Sequence, residues 1–146
     1  MYIDRNLRFS DEQALTATAD SALVVDLMVA RDIGKSSDVF IVICVTETLD
    51  SAGEGATLSI ALVTDDNSSL TSDTSIQTLT PTALAEAVLV AGYKRVFKIQ
   101  PGLAFERYLA LVYTVGVESF TSGKVSAFIT NDPEDYRTYA DPIAAP

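Results

Sequence analysis

The 146-residue chain contains no histidine, no tryptophan and only one cysteine. Lack of histidine removes the side chain best suited to proton transfer near neutral pH, and also the commonest metal ligand. It rules out nucleophile systems built on a Ser–His or Cys–His pair. The lone Cys44 cannot form an internal bridge, and no cysteine spacing suggests a metal site. Lying inside an apolar run, Cys44 is expected to be a buried, inert thiol. That run, residues 39–45, is the longest and has seven residues, whereas a membrane helix needs about 20. The start of the chain lacks an apolar core of about 7–15 residues behind a basic segment, so no secretory signal is read there. A soluble protein made in the cytoplasm is expected. Basic side chains are also scarce: 10 Lys and Arg stand against 20 Asp and Glu, a formal net charge of −10. Such an acidic surface argues against direct binding of DNA or RNA.

What remains is a chain of one-domain size that is 48% apolar. A chain this long buries roughly 68–70% of its unfolded surface and needs no metal or disulfide to fold. Period-two alternation dominates its pattern. It runs through residues 22–28, 56–64, 95–100, 107–115 and 124–130. Residues 39–48 are apolar on both faces at first and then polar, as in a central strand running out to an edge. Turn chemistry separates these runs at residues 51–55, at 65–69, at Pro101-Gly102 and at Thr121-Ser122-Gly123. Residues 75–79 read as a short strand. Residues 82–90 read as extended, with a short helix as the alternative because of Ala-Leu-Ala-Glu-Ala. About seven or eight strands without a long helix predict an all-β antiparallel sandwich, with a jelly roll as its natural eight-strand form.

The ends read differently. Residues 1–21 are expected to form an irregular N-terminal arm, residues 22–130 the sandwich, and residues 131–146 an irregular tail that holds three of the five prolines. Tyr2, Ile3, Leu7 and Phe9 are candidate anchors of the arm on a partner surface, and Tyr136 and Tyr139 those of the tail. The basic concentration Lys94, Arg95 and Lys98 is either a solvent-facing strand edge or a docking patch for an acidic partner. Two acidic groups, Asp65 with Asp66 and Asp132 with Glu134 and Asp135, are solvated turn residues or loop oxygens for calcium. A glycosidase pair is the weaker alternative. Gly53-Glu54-Gly55 lacks the lysine and the helix of a phosphate-binding loop. Tyr108 and Tyr113 are five apart and fall on opposite faces of one strand, so they do not make a sugar-stacking platform. No catalytic, metal or cofactor site emerges, and the reading is of a structural or interaction protein rather than an enzyme.

Several segments carry a family resemblance. They are the opening Met-Tyr-Ile-Asp with Leu7, Ser10-Asp11 and Gln13-Ala14; Leu-Val-Ala-Gly-Tyr at 89–93; Arg-Tyr-Leu-Ala-Leu-Val-Tyr-Thr-Val at 107–115; and Phe-Thr-Ser-Gly-Lys at 120–124. In this order they resemble the capsid cement, or decoration, proteins found beside HK97-type major capsid proteins in some tailed phages. The resemblance implies a jelly roll, a symmetric homodimer or homotrimer, and a seat on the outer capsid surface. Its implied partners are the major capsid protein and further copies of the chain itself. It places the protein in the virion after synthesis in a bacterial host's cytoplasm, and it implies no catalytic residue and no cofactor. In that family a glycine-lysine or similar turn introduces the final strand. The alternative from another functional class is a carbohydrate-binding jelly-roll module assisted by calcium.

Overall fold

Two antiparallel sheets face each other across one apolar core in the computed structural model, which describes residues 3–35 and 37–134. The strands are β1 (Arg8–Ala14), β2 (Ala19–Asp20), β3 (Val25–Asp26), β4 (Phe40–Ser51), β5 (Thr57–Asp65), β6 (Thr74–Thr78), β7 (Leu84–Ala85), β8 (Lys94–Lys98), β9 (Tyr108–Gly116) and β10 (Phe120–Thr130). The first sheet runs β1-β10-β4-β8. The second runs β2-β9-β5-β6, with β3 also paired to β9 and β7 also paired to β5. The pairs β2 and β3, and β6 and β7, are therefore two broken strands, and the sandwich has eight strand positions. The chain changes sheet at every connection except β2–β3 and those joining β5, β6 and β7. That winding is the jelly roll.

Alternation explains the long strands. Leu58, Ile60 and Leu62 of β5 and Leu109, Leu111 and Tyr113 of β9 point inward against Ile41, Ile43 and Val45 of β4 and Val125 and Ala127 of β10. β4 sits between β10 and β8, apolar on both faces over its first half and exposed at Thr46, Glu47 and Thr48. The segment with two sequence readings takes both. Leu84–Ala85 pairs with β5, and Glu86–Val88 closes a single 3₁₀ turn.

Two expectations are corrected. Within the expected arm, Arg8–Ala14 is an edge strand of the first sheet, paired to β10, and Ala19–Asp20 pairs with β9, so from Arg8 on the segment belongs to the sandwich. Bulges between Arg8 and Ser10 and between Ser10 and Gln13, with Glu12 at φ 48°, break the alternation that would have betrayed the strand. Phe9 and Ser10 are consequently both buried. The second correction concerns Thr121-Ser122-Gly123, which is a bulge inside β10 rather than a turn before it. Gly123 has φ 123°, and a Cβ there would stand 2.6 Å from Leu49 Cα. The turn lies earlier, at residues 117–119. Of the expected tail, residues 135–146 fall outside the described residues.

Candidate functional site

Sequence reasoning placed the partner contacts on the chain ends and on β8, and the structure distributes these residues differently. Phe9 is fully buried in the core and is a packing residue, not a free anchor. Leu7 is 38% exposed at the end of a 3₁₀ turn, Arg5–Leu7, which is capped by Asp4 through Asn6 N–H. Ile3 lies on the outer face of the first sheet. There it packs, with Val96, on a second apolar cluster of Val42, Cys44 and Phe128. Cys44 is fully buried. Tyr2, Tyr136 and Tyr139 lie outside the described residues.

The basic residues occupy the edge strand β8 and are engaged locally. Lys98 Nζ is 2.7 Å from Asp38 Oδ1, and Lys94 Nζ donates to the Pro133 carbonyl at 2.7 Å. The Arg95 guanidinium stands 5.6 Å from the centre of the Phe97 ring. Cationic side chains on an edge also discourage pairing with another sheet. An open cleft of about 460 Å³ beside this strand is lined by Pro81, Leu84, Val88, Tyr93 and Arg95, and its lining holds no carboxylate.

The carboxylates singled out in the loops serve the backbone. Asp65 is fully buried. One oxygen accepts from Asn67 N–H at 3.0 Å and Ser72 hydroxyl at 3.1 Å, and the other from Ser72 N–H at 2.8 Å. The Ser72 N–H, foremost, holds the Asp65 carboxyl below its ordinary value, against the opposing effect of burial. The loop thus orders itself around its own carboxylate. Asp132 accepts from Glu134 N–H in a similar small turn, and Asp135 lies outside the described residues. Asp26 forms a two-bond pair with Arg107, both contacts 2.9 Å. That bond, then Met28 N–H, lowers its carboxyl from 3.8 to about 2. Arg107 also lies 4.9 Å from the Tyr108 ring centre. Tyr113, by contrast, is buried in the core, where its hydroxyl lies 2.8 Å from Ser10 Oγ. Burial raises its pKa well above the ordinary tyrosine value.

A group missed at the sequence level gathers where the β4–β5 and β9–β10 turns meet. Glu86 is nearly buried; it accepts from Ser51 N–H at 2.8 Å and from Ala56 N–H at 3.2 Å. Glu118 accepts from Gly53 N–H at 3.2 Å and Gly55 N–H at 2.9 Å. The Ser51 hydroxyl lies 2.5 Å from Glu86 Oε2 and 2.9 Å from Glu118 Oε1. A hydroxyl has one proton to give, so two carboxylates share it. Ser51 leads the groups that hold the Glu86 carboxyl below its ordinary value, and Asp50 contributes a smaller hydrogen bond. The arrangement is a clasp between two turns. Nothing in the sequence signalled it beyond the glycines of residues 51–55.

The clasp fixes a strained tip. Glu118 N–H bonds the Gly116 carbonyl at 2.8 Å, closing a three-residue turn with Val117 at its centre, φ 69°. A branched side chain at positive φ is a marked outlier. Val117 is also 85% exposed. Met28 repeats the combination: φ 68°, 67% exposed, with Val29 beside it 60% exposed. Val117 follows the last residue of β9, while Met28 lies just beyond β3, which pairs with the first residues of β9. At about 3.4 Å per residue the two tips are separated by the strand's length, about 27 Å.

Among the described residues no helix is long and apolar enough to cross a membrane. Comparison with curated proteins finds no match. The Bbp16 family, in contrast, matches residues 9–129, from the core phenylalanine of β1 to the penultimate residue of β10. That span takes in both sheets and the clasp, and the chain belongs to the Bbp16 family.

Proposed function

We propose that this protein is a structural virion protein that binds the outer surface of an assembled phage capsid and stabilises it, acting as a cement. The observation that carries the reading is the pair of tips at opposite ends of an acidic sandwich. At each, left-handed backbone holds an apolar side chain, Val117 or Met28, out in water. Such side chains serve a contact better than they serve the monomer. The loop carboxylates and the cations of β8 are occupied in holding the fold, which leaves surfaces rather than a reaction centre as the working parts. The resemblance of the ordered sequence motifs to cement proteins supplies the partner, the major capsid protein, with further copies of the chain alongside. Modest contacts suffice there, because repetition on a lattice multiplies them.

The test is co-sedimentation of the purified protein with capsid shells that lack it, followed by heating of the decorated and bare shells. Saturable binding that raises the disruption temperature is expected. Shells that neither bind the protein nor gain stability would overturn the proposal. To isolate the chain start, residues 1–7 are removed and no more, since Phe9 belongs to the core.

A further inference from the structure

The two tips stand in different surroundings. Four connections meet at the Val117 end: residues 15–18, 51–56, 86–89 and 116–119. Thr18 Oγ1 accepts from Val115 N–H, Leu49 N–H bonds the Leu89 carbonyl, and the clasp joins Ser51, Glu86 and Glu118. These connections contain no lysine or arginine. Glu86 and Glu118 are taken up by the clasp, which leaves Glu54 as the exposed charge. Beside it, next to Gly55, stands Val117, while Val88 faces the cleft that Arg95 also lines. The Met28 end, by comparison, mixes Arg31, Asp32, Lys35, Asp38, Glu106 and Arg107.

The clasp makes the Val117 tip stiff. For Val117 to fold inward, the turn must give up the bonds from Glu118 to Gly53 and Gly55. The monomer therefore maintains a conformation that is unfavourable for valine and leaves an apolar side chain in water. Preorganisation of this kind benefits a bound state, because the side chain is already ordered before contact.

We infer that the Val117 end is the face that docks on the shell, with Val117 seated in an apolar socket and cationic side chains of the shell protein facing Glu54. This rests on the capsid reading proposed above. The occupant follows from charge: Glu54 is the charge that the clasp leaves free at this tip, so a partner that seats Val117 gains from lysine or arginine at the rim. A second copy meeting the same face would set Glu54 against Glu54.

The experiment compares wild type, Val117→Asp and Glu54→Lys for occupancy on shells lacking the protein, with thermal melts and solution mass for each. Expected are native-like melts, unchanged mass, occupancy at least about tenfold weaker for Val117→Asp, and a weaker, less salt-sensitive association for Glu54→Lys. If wild type binds and Val117→Asp binds equally well, this inference fails and the capsid reading stands. If Val117→Asp changes the solution mass, the face is a contact between copies and the inference is overturned. If wild type itself does not bind, the capsid reading fails and the inference with it.

Discussion

Replacing Phe9 by alanine asks whether the start of the chain is a detachable arm or part of the fold. Phe9 is fully buried, and its strand is hydrogen-bonded along β10. Removing a buried phenylalanine side chain costs about 3–5 kcal/mol, the lost transfer energy plus the cavity left behind. β1 is an edge strand, so its neighbours can relax into part of the space, and the expected loss is about 3 kcal/mol. For a domain of this size each kcal/mol moves the melting temperature by about 2–4 °C, which gives a fall of roughly 6–12 °C. A loss of that size still leaves most domains of this size folded, since typical stabilities are about 5–15 kcal/mol. Leu7→Ala is the matched control: Leu7 is 38% exposed, and its truncation should cost less than about 1 kcal/mol. Urea midpoints and thermal melts of the three proteins decide the matter. If Phe9→Ala loses no more than Leu7→Ala, the strand assignment of Arg8–Ala14 is wrong and the segment behaves as an arm.

Other consequences can be measured on the same footing. Gly123→Ala meets both a positive φ of 123° and the Leu49 backbone, and should lower the urea midpoint by the equivalent of at least about 2 kcal/mol. Val117→Gly should do the opposite. It removes a left-handed strain of about 1–2 kcal/mol and incurs a glycine entropy cost of about 0.5–1 kcal/mol, so the melting temperature should hold or rise. Stability should fall on acidification, because Asp26, Asp65 and Glu86 all have folded carboxyls below their ordinary values. Their contribution is complete above the unfolded pKa of about 4. It is lost as pH falls through the folded values, which for Asp26 reach about 2. Glu86→Gln should be less stable than wild type at neutral pH, with the gap closing in melts taken toward pH 3; a constant gap would show that the Glu86 charge is irrelevant.

The strands that were legible in the sequence are those where one rule operates undisturbed. β5 and β9 are legible because Leu58, Ile60 and Leu62 and Leu109, Leu111 and Tyr113 return to the core face at every second residue, and β4 reads as a central strand because both faces are covered over its first half. β1 was hidden for a physical reason. Two bulges and a left-handed Glu12 shift which residues face inward, so Arg-Phe-Ser-Asp-Glu-Gln-Ala shows no period of two. Gly123 misled in a related way: a glycine at positive φ serves a bulge as well as it serves a turn, and only the Leu49 backbone beside it distinguishes them. The surfaces were less legible still. Lys94, Arg95 and Lys98 looked like a patch in sequence, yet alternation sends Arg95 to the opposite face of β8 from its two neighbours. Glu86 lay in an alanine-rich stretch with nothing to mark it as nearly buried.

Val117 is the most instructive case, because the sequence around it breaks a local rule. Gly-Val-Glu-Ser offers glycine at the first position of the turn, whereas the left-handed residue is the valine after it. Asparagine or glycine at 117 would suit the backbone better and would expose less apolar surface. Local choices that oppose the fold normally have a compensating gain in the folded chain. Here the tip is 85% exposed, and the clasp beneath it works to keep the turn in place rather than to relieve it. A gain that is absent from the monomer has to come from what the monomer meets. The division of labour at this end follows from that: carboxylates turn inward to hold two loops rigid, and the apolar side chain they support is turned outward, ready for contact.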